Sequence, residues 1–422
     1  MSLTKRDQKH LWHPLTQHKM TPEHLGIVKA NGVYLQDEEG KKYIDAISSW
    51  YTAVYGHCHP YMVQKVTAQV QTLDQIVFAG FTHPAAVNMS EKLMEILPDN
   101  QQKIFFSDNG STTVDIALKM SLQYHFNQGK KKLKIVAFKN AFHGDTFGAM
   151  SVSGLDVYNG PFSDVVLSVD RIAVPTDENC HQVLADFKKL LATNQVACFV
   201  FEPLVQGANC MHMHQAKHLD ALIALAQKYD TVCIADEVMT GFGKTGTYFA
   251  SDQLENKPDI MCLSKALTGG MIPMGLTTCT QKIYDAFYAN EIAKGFFHGH
   301  TYSANPIACA AVIASVDLLK SEEIQTGIKR IQKGHQAFLK SIKPYTKVKK
   351  ARTLGVILAI DLDVAIDRYG KDRNAIFNHF MSKGIFLRPL GNTLYVVPPY
   401  VIKQKELAFI YDEIKEYIHL IS

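Results

Sequence analysis

Thr231-Val232-Cys233-Ile234-Ala235-Asp236 is a mostly apolar run that ends on a carboxylate. It shows no polar alternation, the pattern of a strand buried on both faces. Similar runs stand at Lys103–Ser107, Leu133–Phe138, Val196–Phe201, Ile260–Leu263 and Gly275–Thr280. Helix-like periodicity lies between them over Thr113–Phe126 and Ala216–Tyr229. Strands alternating with helices predict an α/β fold on a mostly parallel central sheet. Ligands in such sheets bind at the carboxyl ends of strands, which is where Asp236 falls. A carboxylate there can pair with a protonated ring nitrogen, although an Asp at a strand end equally caps a turn.

Working outward, 422 residues exceed one small core. The reading is a segment 1–60 that joins a small domain, a large domain over 61–305 and a smaller α+β domain over 306–422. In the first, Gly26–Gln36 and Lys42–Asp45 read as a strand pair turning at Asp37–Gly40. In the last, a helix near Pro306–Leu319 leads into a charged segment, Lys320–Lys350. Strands follow near Gly355–Leu362 and Thr393–Val397, and a final helix near Lys405–Leu420.

A net charge of +4 gives no basis for nucleic-acid or membrane binding. The start, Met1-Ser2-Leu3-Thr4-Lys5-Arg6-Asp7, lacks a signal peptide's apolar core, and no apolar run is long enough for a transmembrane helix. Eight scattered cysteines form no CxxC pair, so neither disulfides nor a zinc ribbon is expected. These features predict a soluble cytoplasmic protein.

Three further runs carry chemistry. Lys265 follows the strand Ile260–Leu263, and a lysine in a desolvated pocket becomes a nucleophile toward an aldehyde and a carrier of protons. Ser107-Asp108-Asn109-Gly110-Ser111-Thr112-Thr113 lies between a strand and a helix, where free amides and hydroxyls hold phosphate. Asn140-Ala141-Phe142-His143-Gly144 follows another strand and offers an aromatic ring to stack on a flat cofactor. Each run alone has a plainer reading as a solvated lysine, a helix cap or a core phenylalanine. Together with Asp236 they supply an amine, a phosphate cradle, a ring face and a ring-nitrogen partner, the separate needs of pyridoxal 5'-phosphate.

Over nearly its whole length the chain resembles the class III, fold-type I pyridoxal-phosphate aminotransferases. The resemblance rests on Ile234-Ala235-Asp236-Glu237-Val238-Met239-Thr240-Gly241-Phe242-Gly243-Lys244-Thr245-Gly246 with Ser264-Lys265 and Thr268-Gly269-Gly270. It implies that Lys265 holds the cofactor as a Schiff base and Asp236 pairs with its pyridine nitrogen. It also implies that Gly110 and Ser111 bind the phosphate, beside His143, and that Phe142 and Val238 cover the ring. His298-Gly299-His300-Thr301-Tyr302 matches a motif whose threonine reaches the phosphate of a neighbouring subunit. The resemblance thereby implies a homodimer with shared sites, contributed by Gly299, His300 and Thr301.

Other runs narrow the resemblance to one subfamily: Leu11-Trp12-His13-Pro14-Leu15-Thr16-Gln17, Ser48-Ser49-Trp50, His143–Ser151, Phe201–Ala208 and Leu387-Arg388-Pro389 through Tyr400. Its members move the amino group of S-adenosylmethionine onto 8-amino-7-oxononanoate in biotin synthesis. The resemblance then implies that Arg388 grips a substrate carboxylate and Trp50 lines the substrate channel. Phe142 and Leu15 stand where the subfamily usually has tyrosine, and Met239 where related enzymes often have glutamine. Lysine is the alternative donor. Rival readings are another class III enzyme acting on an ω-amine such as ornithine or 4-aminobutyrate, an aminomutase, and a regulatory protein that binds the cofactor. His57-Cys58-His59, His212-Met213-His214 and His298-Gly299-His300 lack further ligands at metal spacing, so no metal is expected.

Overall fold

The computed structural model describes residues 2–21, 23–155 and 160–422; Met1 of the N-terminal run lies outside them. The strands in chain order are β1 (Ile27–Asn31), β2 (Tyr34–Asp37), β3 (Lys42–Asp45), β4 (Gln101–Ser107), β5 (Lys134–Phe138), β6 (Val169–Ile172), β7 (Val196–Phe201) and β8 (Val205–Gln206). They continue as β9 (His212–Met213), β10 (Val232–Asp236), β11 (Ile260–Leu263), β12 (Gly275–Thr280), β13 (Val348–Leu354), β14 (Ile357–Leu362), β15 (Ile385–Phe386) and β16 (Thr393–Val396).

Seven of them make the central sheet, in the order β4-β12-β11-β10-β7-β5-β6. Only β12 runs against its neighbours; the other pairings are parallel. After β11 the chain folds straight back into β12, whereas a parallel neighbour would need a long crossover. The mostly parallel sheet read from the sequence is therefore present.

Side chains on each strand alternate between two cores. Phe199, Phe201, Cys233 and Ala235 pack into one apolar cluster, while Cys198, Val200, Val232 and Ile234 pack into the other. Successive side chains point to opposite faces, and here both faces are covered, so polar alternation has no place. The helix Gly110–Asn127 covers one side of β10, β11 and β12. Helices Cys180–Ala192 and Ala216–Lys228 pack on each other, the second against β10.

Two expectations need correction. Gly26–Gln36 is a hairpin rather than one strand: β1 and β2 pair antiparallel across Gly32-Val33, and Gly32 takes φ +56°. A positive φ suits glycine, so Gly32 marks the turn. The charged segment Lys320–Lys350 contains a helix, Glu322–Ile342. Ile324, Ile328, Ile331, Phe338 and Ile342 are buried on one stripe of it while its lysines face outward. The N-terminal strands join the end of the chain through β15, which pairs parallel with β3. A third sheet has the order β13-β14-β16. Among the described residues no helix is long and apolar enough to cross a membrane. All eight cysteines are free.

Candidate active site

Parallel strands aim their carboxyl ends at one edge, and the chemistry-bearing loops leave there. Asp236 closes β10, Lys265 follows β11, Gly110 follows β4 and Phe142 follows β5. They border a cavity of about 850 Å³, together with Ser111, His143, Val238 and Trp50.

Asp236 is buried and held in place. Its Oδ1 accepts from the Val238 amide at 3.0 Å, and its Oδ2 lies 2.7 Å from His143 Nδ1. His143 Nε2 is buried with no hydrogen-bond partner. Its backbone amide donates to Ser153 Oγ at 2.8 Å.

Lys265 takes φ +51° in a short 3-10 turn. Its Nζ stands 5.3 Å from the centre of the Tyr51 ring. Burial lowers the pKa of its amine, against the pull of Asp236 and Glu202. A desolvated amine of this kind is a stronger nucleophile near neutral pH.

Gly110 and Ser111 open an 18-residue helix capped by Asn109, whose side chain accepts from the Thr112 amide at 3.0 Å. First-turn amides lack acceptors within a helix, so those of Gly110 and Ser111 are available to an anion. Ser111 Oγ shares a 2.8 Å hydrogen bond with Thr146 Oγ1. A Cβ at position 110 would meet Val238 Cγ1 at 2.7 Å, so only glycine lets Val238 pack that closely.

These features meet the demands of pyridoxal phosphate. Free helix amides suit a phosphate, a buried fixed carboxylate suits a ring nitrogen, Phe142 and Val238 supply apolar surface, and a desolvated amine suits an aldehyde.

One wall of the cavity is strained. Ser48, Ser49, Trp50 and Tyr51 all take positive φ, from +44° to +72°. Left-handed backbone costs about 1–2 kcal/mol for each such residue. Fully buried Asp45 offsets this cost: it accepts from the Ile47 amide at 3.2 Å, from Ser49 Oγ at 2.9 Å and from His57 Nε2 at 2.9 Å. Ser48 Oγ adds a bond to the Val397 carbonyl at 2.8 Å. Asp45→Ala is expected to destabilise the protein by about 3–5 kcal/mol, because buried partners lose a charged acceptor. Denaturant unfolding would read the loss, and Trp50 emission would shift with it. Parental stability in the variant would refute the role of Asp45.

Glu202 was read as part of a motif but not as a site residue. It borders the cavity, accepts from the Phe142 and Gly207 amides at 3.1 and 2.8 Å, and burial pushes its pKa up to about 7. The unfolded carboxyl titrates near 4.5. The native state therefore binds the extra proton between these values, and stability falls as pH rises from about 4.5 to 7. Glu202→Gln is expected to flatten that part of the curve in unfolding measurements across this window. An unchanged pH slope would show that Glu202 does not carry it.

Arg388 does not line the cavity. It stands behind Trp50, its guanidinium carbon 4.9 Å from the ring centre, a stacked cation–π pair. Arg368, which the sequence reading missed, borders the cavity and donates to the Ala208 carbonyl. It sits in the loop after β14 with no motif around it, so no local signal marked it. Tyr51 was also missed; its place under Lys265 depends on the left-handed turn. Leu15 and Met239 both border the cavity.

Gly299, His300 and Thr301 lie apart from this cavity. They occupy a loop tied by Gln75 Nε2 to the Thr301 carbonyl at 2.9 Å. Neighbouring Phe297 and Tyr302 are exposed. Within one chain, the structure thus brings eight of the twelve sequence-derived positions to the cavity and leaves Gly299, His300, Thr301 and Arg388 outside its lining.

Comparison with known proteins agrees with this geometry. The sequence model of the family described as Aminotransferase class-III matches residues 15–418. An adenosylmethionine-8-amino-7-oxononanoate aminotransferase of Synechococcus elongatus is 41% identical, covering 96% of this chain and 98% of that protein. One of Helicobacter pylori is 35% identical over 96% and 95% of the two chains. Among solved structures, the enzyme of that name from Methanocaldococcus jannaschii superposes with a TM-score of 0.92 at 32% identity, covering 99% of this chain and 98% of that one. An amine transaminase from an uncultivated Pseudomonas species, solved with pyridoxal phosphate bound, has a TM-score of 0.91 at 26% identity over 98% and 99%. The chain belongs to the class III aminotransferases, enzymes that depend on pyridoxal 5'-phosphate.

Proposed function

We propose that this enzyme transfers the amino group of S-adenosylmethionine to 8-amino-7-oxononanoate, giving 7,8-diaminononanoate in biotin synthesis. The observation that carries the reading is full-length likeness to relatives that bear that name, up to 41% identity. The stacked pair of Trp50 and Arg388 beside the cavity supports it. A planar guanidinium can take a carboxylate bidentately, and an indole can cover an aliphatic chain.

Pyridoxal phosphate supplies an aldehyde that accepts amino groups and a ring that withdraws electrons. The chain's residues do the rest. Asp236, fixed by His143 and the Val238 amide, presents its charge to the ring nitrogen. Gly110 and Ser111 hold the phosphate, and Phe142 and Val238 cover the ring. Lys265 would hold the cofactor covalently through Nζ, which a substrate amine would free. Its freed Nζ then takes the proton from the amine-bearing carbon of the donor and redelivers it. Arg388, beside Trp50 and outside the cavity lining, would take the acceptor's carboxylate where its chain runs out past the indole.

Gly299, His300 and Thr301 would complete the site of a second subunit in a homodimer. Exposed Trp12, Ile292 and Phe297 are the apolar surface such a partner would cover.

Three measurements test the reading. The protein should restore growth without biotin to a strain lacking diaminopelargonic acid synthase; failure by well-expressed, cofactor-loaded protein would favour an ω-amine substrate. Offered separately, S-adenosylmethionine should bleach the cofactor's absorbance and lysine should not; the reverse would make lysine the donor. Mixing inactive Lys265→Ala and Thr301→Ala subunits should regain activity, because a mixed dimer keeps one site with both groups intact. No recovery after proven exchange would remove Thr301 from the partner's site.

A further inference from the structure

The described N-terminal residues 2–25 bury no side chain fully, and the helix Leu3–Asp7 has none in a core. Leu11 and Trp12 are exposed. Hydrophobic burial within the chain therefore does little to order this segment. What gathers it is a knot of polar side chains. His13 Nε2 lies 3.0 and 2.8 Å from the two oxygens of Asp7. The His13 and His24 rings are 3.7 Å apart between centres. His18 props the knot from the side: its Nε2 accepts the His13 backbone N–H at 2.9 Å. Thr4 Oγ1 donates to the His24 carbonyl at 2.9 Å, closing the loop.

We propose that Asp7, His13 and His24 bind a divalent transition-metal ion of the zinc class. One potential ligand atom from each of the three lies within 4.8 Å of the others. Zinc held by nitrogen and oxygen ligands at about 2.0–2.1 Å places tetrahedral ligand atoms roughly 3.3 Å apart. The Asp7–His13 pair is already near that separation, and the His13 and His24 rings would open from their 3.7 Å centre-to-centre spacing to set a nitrogen of each on the ion. Two imidazoles and a carboxylate suit zinc better than magnesium or calcium, which prefer oxygen donors alone. Three protein ligands leave the fourth position to water.

Without an ion, the arrangement brings together three imidazoles and one acid. The site also has a consequence for the cavity. Pro14 and Leu15 follow His13 directly, and both border the cavity. An ion on His13 and His24 pins that wall in place. This site rests on none of the cofactor assignments.

The test uses the holoenzyme after chelator treatment, with zinc titrated against a chromophoric chelator. One zinc per chain is expected. Asp7→Asn, His13→Gln and His24→Gln should each weaken binding by at least the roughly 10–100-fold that lost outer-sphere partners cost. Zinc should also slow tryptic cleavage after exposed Lys9 and Lys19 in the parent and not in the variants. Zinc uptake no greater in the parent than in an Asp7→Asn/His13→Gln/His24→Gln triple variant would overturn the proposal. So would equal affinity in all of them, which would place the ion on other surface histidines.

Discussion

Lys265→Ala is expected to fold, to bind pyridoxal phosphate without a covalent bond, and to lose amino-group transfer. The loss of proton transfer alone is worth roughly 10²–10⁴-fold in rate, and the loss of the covalent anchor adds to it. The left-handed backbone at Lys265 is no harder for alanine than for lysine, so the fold should survive. Borohydride reduction should fix the cofactor to the parent and not to the variant. Lys265→Arg sharpens the test: it keeps a cation in the pocket, but a guanidinium stays protonated and is no nucleophile. It should be as inactive as the alanine variant. A cofactor that remains fixed after reduction in Lys265→Ala would move the anchor to another lysine.

Asp236→Asn should cost the second largest loss. The substitution keeps the shape and can still accept from the Val238 amide, but it removes the buried charge. Breaking a buried ion pair by removing one partner costs about 3–5 kcal/mol, which corresponds to roughly 10²- to 4 × 10³-fold in kcat/KM at about 1.4 kcal/mol per tenfold. The variant should show weaker cofactor binding and a slower first half-reaction with either donor. Asp236→Ala should be at least as impaired, and it also leaves His143 Nδ1 without its 2.7 Å partner. If Asp236→Asn keeps the parent's rate, the carboxylate serves only to place His143 and the Val238 amide.

The α/β fold and the heart of the cavity were legible because they depend on local pattern. A strand covered on both faces must be apolar, and β7 is throughout, as is β10 up to the Asp236 that closes it. A parallel sheet sends its loops to one edge, so Asp236, Lys265, Gly110 and Phe142 could be assembled before any coordinate was known. The hairpin turning at Gly32-Val33 was missed, because a single glycine in an extended run reads equally as a bulge. The helix Glu322–Ile342 was obscured by its lysines, since charge counts outweigh an apolar stripe unless periodicity is followed residue by residue.

Other parts of the site carry no local mark. Glu202 becomes a cavity residue because β7 ends beside β5 and β10. Tyr51 comes under Lys265 only through four consecutive left-handed residues, a conformation that no residue type in Ser48-Ser49-Trp50-Tyr51 prefers. Buried Asp45 and His57 hold that turn from twelve residues apart in sequence. Arg368 enters from the loop after β14, and Asp7, His13 and His24 meet only because an irregular segment folds on itself.

By itself, then, the sequence determined the layers, the sheet and the residues at its functional edge, since burial on two faces and glycine-dependent turns are properties of short stretches. Tertiary structure alone decided the strained wall around Trp50 and Tyr51, the company Glu202 keeps, the stacking of Arg388 behind Trp50 and the N-terminal histidine knot. Each of these depends on contacts between distant segments, whose closure and desolvation energies are not encoded in any one of them.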